Sequence, residues 1–264
     1  MTATPQHGVT IVPTWIGTRA ELDHYAPVLR WLLLMSFVAL AFAAFWYFGL
    51  LQRMLATDVT HISTLILAVF VLTSLHCLYH TMEVSKQLIV SRRAREGIRQ
   101  TIRPGTERGI AEVLDDGTVG AGELRRYVES LRMKSALQRG GHLDQVVLLR
   151  SLADRLRARE KLGLFLSEAL LRLALLGTAI GFILMLIPIS GLSSFEADTM
   201  RTALGGMTGG MAIALNVTVT GIASSLVLKL EYYMLDNAIE EMFGIIVDTT
   251  EVYLIPVLER PGNA

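Results

Sequence analysis

The chain has 264 residues, 24 Lys and Arg balanced by 24 Asp and Glu, and a mean hydropathy of +0.47 with 52% hydrophobic and 18% charged residues. That composition is too apolar for an ordinary water-soluble domain, and the zero net charge excludes a polycation built for nucleic acid. A single cysteine, Cys77, excludes an internal disulfide.

Met1 to Leu22 carries Pro5, Gly8, Pro13 and Gly17 and reads as a loose or interfacial tether. Trp31 to Leu51 then runs without a charge, long enough for a membrane helix, which needs about 20 apolar residues. It begins well into the chain and soon meets a second run, so it reads as a spanning helix and not as a secretory signal. Phe37, Phe42, Phe45, Trp46 and Phe48 surround its circumference, which suits lipid. Trp31 near one end and Trp46-Tyr47 near the other predict interfacial anchors.

Val59 to Met82 is the second run, interrupted only by His61, His76 and His80, and its helix is expected to continue as a polar one through Arg99. Pro104-Gly105 breaks it, and Asp115-Asp116-Gly117 and Gly120-Ala121-Gly122 mark turns. The acidic turn lacks the alternating oxygen ligands of a calcium loop. Glu123 to Gln138 predicts a helix with Leu124, Tyr127, Val128 and Leu131 on one face, ended by Gly140-Gly141. A second amphipathic helix begins near His142, with Leu143, Val146, Val147, Arg150, Leu152 and Leu156 at the 3.6-residue period, and runs toward the third apolar run.

The third run, Leu173 to Phe195, and the fourth, Thr202 to Leu228, carry no charge and are built from small and hydroxyl residues. After the fourth, Lys229 to Val257 keeps a helical stripe of Leu230, Tyr233, Met234, Ala238, Met242, Ile245, Ile246, Thr249 and Tyr253, ended by Pro256 and Pro261. The fold class is therefore all-α: an integral membrane protein with four transmembrane helices and a helical cytoplasmic domain.

Charge sets the orientation. Only Arg53 and Arg201 fall in the two short connections, Leu51 to Thr60 and Gly191 to Arg201. Arg92, Arg93, Arg95 and Arg99 follow the second run, and Arg155, Arg157, Arg159, Lys161 and Arg172 precede the third. Basic residues within about 15–20 residues of a span stay inside, so the long middle segment and both termini are placed in the cytoplasm. The resulting division is a cytoplasmic N-terminal segment at 1–27, a transmembrane hairpin at 28–90, a cytoplasmic helical segment at 91–165, a second hairpin at 166–230 and a C-terminal helix and tail at 231–264.

In lipid, small residues let helix backbones approach and hydroxyls need partners or water. Gly177 and Gly181 in the third run, Gly205, Gly206, Gly209 and Gly210 in the fourth, and Gly221 beyond them are the expected helix-packing positions. Thr178, Asn216, Thr218 and Thr220 are the expected pore-lining groups, with Asn216 and Thr220 sharing one face at i, i+4 and Thr218 and Ser225 another at i, i+7. The alternative for each threonine is a hydroxyl bonded to its own preceding turn.

No Asp or Glu lies within any run; Glu168, Glu231 and Asp236 stand beyond the ends. A proton relay needs a titratable group at depth, so a conducting complex requires a carboxylate from another chain. His76 and His80 stand at i, i+4 with no third ligand near in sequence, and read as interfacial or packing residues, with a two-His metal site as the alternative. No nucleophile–base pair, phosphate loop or zinc spacing appears, so neither an enzyme nor a bound cofactor or metal is expected.

Leu175-Leu176-Gly177-Thr178-Ala179-Ile180-Gly181-Phe182, followed after a short outer loop by Gly210-Met211-Ala212-Ile213-Ala214-Leu215-Asn216-Val217-Thr218-Val219-Thr220-Gly221-Ile222, resembles the MotA/TolQ/ExbB proton-channel family over roughly 170–233. Four spans with the long cytoplasmic segment between the second and third are similar to the MotA branch. The resemblance implies a homopentamer in the bacterial inner membrane around two copies of a single-span partner of the MotB/TolR/ExbD kind with a transmembrane Asp. It also implies ion flow coupled to mechanical work, with Thr178 and Thr218 at pore-lining positions. The ExbB and TolQ branches place a glutamate just before an Ala-Leu pair, where Ile213 precedes Ala214-Leu215 here. The function expected is the pore-forming outer subunit of an ion-driven membrane motor; the alternative is a non-conducting scaffold that oligomerises through small-residue faces.

Overall fold

A computed structural model describes residues 26–58, 60–101, 122–138, 143–190 and 197–259. The sequence-predicted turns at Pro104-Gly105, Asp115-Asp116-Gly117 and Gly140-Gly141, and the helix start at His142, lie outside them. Every regular element among the described residues is helical. In order these are α1 (Ala26–Tyr47), α2 (Leu50–Thr57), α3 (Ile62–Thr101), α4 (Glu123–Gln138), α5 (Val146–Ser190), α6 (Ala197–Thr249), a π-helical turn (Thr250–Leu254) and α7 (Ile255–Leu258).

Four of them, α1, α3, α5 and α6, are long and apolar enough to cross a membrane, which supports a multi-pass membrane protein. At 1.5 Å per residue, the 45 residues of α5 and the 53 of α6 extend about 68 and 80 Å, against a hydrocarbon core of about 30 Å. The apolar halves form one bundle and the polar extensions another, sharing the same three long helices. The first core joins Trp31, Ile66, Leu170, Ala174, Val217, Leu228 and Tyr232. The second joins Leu88, Ile98, Leu124, Leu131, Leu152, Met242, Ile246 and Leu254. Only 6% of the apolar window of α1 is buried, against 44% for α6, so α1 rides on the outside and α6 is the central post.

The short connection after the first run contains the helix α2. Gly49 adopts a left-handed backbone (φ 68°), which costs glycine nothing and allows the turn into α2. Buried Asp58 then starts α3, accepting from Thr60 Oγ1 at 2.9 Å and from the Thr64 N–H at 3.3 Å. At the far end, Pro256 has no N–H to offer the carbonyl of Val252, and the chain widens into the π-helical turn before it.

Three expectations need correction. Trp31 is not an interfacial anchor but is buried in the bundle. Val146 and Val147 begin α5 on its exposed side, and Leu152 carries the packing there, because the helix starts at Val146 and its phase is fixed further on. The stripe after the fourth run is displaced: Leu230 and Tyr233 are exposed, and the buried face begins with Glu231 and Tyr232 before passing through Leu235, Ala238, Ile239 and Met242. The apolar face expected on Glu123–Gln138 is present with all four of its residues buried.

Candidate functional site

α5 and α6 pack antiparallel along a seam that their glycines make possible. A Cβ on Gly181 would stand 2.7 Å from the Ala214 backbone N, and one on Gly210 would stand 2.5 Å from that of Met185. One on Gly177 would meet Val217 Cγ1 at 2.3 Å, one on Gly221 the Cβ of Ala174 at 2.3 Å, and one on Gly206 the Pro188 ring at 2.6 Å. A Cβ on Gly205 or Gly209 would meet nothing within 4 Å among the described residues. Of the two overlapping glycine patterns in the fourth run, only the Gly206 and Gly210 pattern therefore meets α5.

These pairings fix the register, with Gly181 against Ala214, Gly177 against Val217 and Ala174 against Gly221. The helical phases then place the hydroxyl residues. Thr178 and Thr218 stand at one level, each about 70° round its helix from the centre of the seam and on the same flank. Both are half-buried, and Leu175, Phe182, Met211, Leu215 and Ile222 around them are exposed. The opposite flank faces α2 and α3. Ile62 approaches Gly177 from that side, and buried Thr220 contacts Met54 Sδ at 3.3 Å. Half-buried Asn216 lies beyond Thr220 on that second flank. The four residues thus divide into two pairs on opposite sides of the seam.

Each threonine hydroxyl donates to its own preceding turn: Thr178 to the Leu175 carbonyl at 2.6 Å, Thr218 to that of Ala214 at 2.8 Å and Thr220 to that of Asn216 at 2.7 Å. The hydroxyl oxygens keep lone pairs that can accept from water or a partner. Ile213, which precedes Ala214-Leu215, is buried.

A polar node that the sequence did not reveal lies where the two cores meet. Glu231 is fully buried, accepts from Ser74 Oγ at 3.0 Å, and has Trp31 and Cys77 beside it. Next to it in sequence, the Tyr232 ring fills the space left by Gly163, where a Cβ would lie 1.8 Å from the ring. Tyr232 Oη is 3.1 Å from His76 Nδ1, and His76 Nε2 is 3.1 Å from His80 Nε2. Sequence spacing had signalled the histidine pair; the Gly163–Tyr232 contact bridges 69 residues and left no local trace.

Further along the paired helices, Glu160 is also buried. Burial, followed by the carboxylate of Asp236 beside it, pushes its carboxyl up to about 8. Arg157 holds the rim, bonded to Glu240 at 2.7 Å and 4.0 Å from Asp236. Among the described residues no three His, Cys, Asp or Glu side chains stand together as a metal-binding group.

No family model, curated protein or solved structure matches the chain.

Proposed function

We propose that the chain is the pore-forming outer subunit of a proton-driven membrane motor, in which copies of the α5–α6 hairpin enclose a single-span partner helix bearing an Asp. The observation that carries this reading is the common flank and common level of Thr178 and Thr218, fixed by the glycine seam and turned away from α2 and α3. In the proposed assembly, a pentamer in the bacterial inner membrane with both termini in the cytoplasm, that flank faces the partner. The two hydroxyl oxygens hold water against the partner's carboxylate, and Leu175, Phe182, Leu215 and Ile222 supply apolar contact. The opposite flank, with Thr220 and Asn216, ties the hairpin to α2 and α3.

No acid lies within the four apolar runs, and buried Glu231 is bonded to Ser74 of α3, off the flank of Thr178 and Thr218, which supports a relay group supplied there by the partner. One charge crossing 100 mV releases about 2.3 kcal/mol, enough to bias a packed two-state element roughly fifty-fold. The test replaces Thr178 or Thr218 with Val and measures proton flux in vesicles containing both chains. Flux should fall in each, and undiminished flux in both removes the assignment.

A non-conducting scaffold is the second reading, favoured by Gly205 and Gly209, which face open space and leave a small-residue surface free for another helix. Mass spectrometry of the intact complex separates the two. A ring of this chain alone supports the scaffold, and a ring holding a single-span acidic chain supports the motor.

A further inference from the structure

We propose that His76 and His80 form a two-imidazole binding site for a divalent transition ion of the Zn2+, Ni2+ or Cu2+ class. The two residues are one turn apart on α3, and their Nε2 atoms face each other at 3.1 Å. Two nitrogens bound to one tetrahedral ion at about 2.0–2.1 Å lie about 3.3 Å apart, so a small rotation of the rings turns the observed pair into a chelate.

The surroundings of His76 resemble what a ligating imidazole requires. A metal-bound histidine usually donates its other ring N–H to an oxygen, which fixes tautomer and orientation. Tyr232 Oη stands 3.1 Å from His76 Nδ1 and 3.5 Å from the Thr73 carbonyl oxygen. With His76 Nδ1–H donating to Tyr232 and the Tyr232 hydroxyl donating to Thr73, the His76 Nε2 lone pair is left to bind. Tyr232 is itself immobile, only 1% exposed and wedged against Gly163.

His80 supplies the entrance. It is half-buried and lines a cleft of about 100 Å³ with Glu83, Arg159, and Glu123 paired to Arg126 and Arg155. Glu83 lies one turn further along the same face of α3, where its carboxylate accepts from Gln87 at 2.9 Å and can also accept from a metal-bound water. Arg159 opposes a cation at His80. This balance disfavours Mg2+ and Ca2+, which need several oxygens, and leaves ions with high affinity for imidazole. With two protein ligands and water at the remaining positions, the site is open and exchangeable. Occupancy would lock the His76–Tyr232 link between α3 and α6.

The test uses the full-length chain without an affinity tag, in detergent. Titration with Zn2+ alone should show one saturable equivalent per chain, unaffected by excess Mg2+. His76→Ala and His80→Ala should each weaken it at least tenfold, and Tyr232→Phe by about 10–100-fold. Because a substitution can disturb folding, Cu2+ added to the wild-type chain gives a second readout: its electron paramagnetic resonance spectrum should carry the coupling of two imidazole nitrogens. No saturable Zn2+ binding, binding that survives in the His76→Ala, His80→Ala double variant, or a Cu2+ spectrum without two nitrogen donors would each overturn the proposal.

Discussion

Ser74 Oγ donates to Glu231 Oε1 across 3.0 Å, joining α3 to α6 with a carboxylate that is completely buried. Among the described residues, the second oxygen of Glu231 and the indole N–H of Trp31 meet no partner with full hydrogen-bond geometry. Burying a carboxylate is costly unless hydrogen bonds replace water, so the Ser74 hydroxyl carries much of that compensation. Ser74→Ala is expected to destabilise the chain by about 1–3 kcal/mol, whereas Glu231→Gln, which keeps the shape and removes the charge, should cost less. Thermal unfolding of the two variants in one detergent compares them directly, and the reverse order would show that the hydroxyl contributes little.

The glycines separate into two groups with opposite expected responses. At Gly181 and Gly210 an added methyl meets backbone atoms of the facing helix, which cannot rotate aside. Alanine at either position should cost about 1–3 kcal/mol through forced separation of α5 and α6. At Gly205 and Gly209 a methyl meets nothing within 4 Å, and alanine should stabilise the subunit by about 0.5–1 kcal/mol because glycine is a poor helix former. Denaturation midpoints check both signs. A Gly205→Ala variant with a stable subunit but a smaller assembly would place a neighbouring copy on that face.

The fold is legible in the sequence where the physics is local. The four apolar runs, the helix at Glu123–Gln138 and its buried face of Leu124, Tyr127, Val128 and Leu131 follow from composition and period alone. The glycine positions were recognisable, but not which of Gly205/Gly209 and Gly206/Gly210 meets α5, because both pairs share the same spacing and differ only in helical phase. The same limit explains Glu231. A charge three residues past an apolar run reads as solvated, and only Ser74, Trp31 and Cys77, contributed by distant segments, make it interior. Trp31 departs from expectation for the matching reason: the preference of tryptophan for the interface is a tendency of the residue, overruled here by burial in the bundle.

The pH dependence of stability should centre on Glu160. Its carboxyl is held at about 8 in the folded chain against an ordinary value of 4.5, first by burial and then by Asp236. The folded state therefore holds this proton more tightly than the unfolded chain. That contribution is fully present below pH 4.5 and is lost as pH rises through 8. Arg157 opposes the shift and Glu240 adds to it, so the effect belongs to the whole charged rim of α5 and α6. Wild-type melting temperature should fall across this window, and Glu160→Gln, which cannot ionise, should flatten the curve. Equal slopes for the two proteins would show that Glu160 does not titrate there.

The polar extensions are tied together by a second buried node, and it should outweigh the ion pairs at the surface. Tyr127 Oη donates to Gln145 Oε1 at 2.9 Å, joining α4 to the residue just before α5, while the Gln145 amide reaches Glu251 in the π-helical turn. The Thr250 hydroxyl lies 3.5 Å from the same Gln145 oxygen, so α4 and the π-helical turn converge on one side chain. Burial, reinforced by Glu251, pushes the Tyr127 phenol above its usual range, which keeps it a donor. Tyr127→Phe removes that donor from a buried acceptor and should cost about 1–2 kcal/mol. Arg125 and Glu129 form an exposed pair at 3.1 Å on the same helix, and Arg125→Ala should change stability by no more than about 0.5 kcal/mol. Unfolding curves of the two variants, together with hydrogen exchange of the 250–254 turn, test the contrast. Faster exchange in Tyr127→Phe alone would show that Gln145 transmits order from α4 to the π-helical turn.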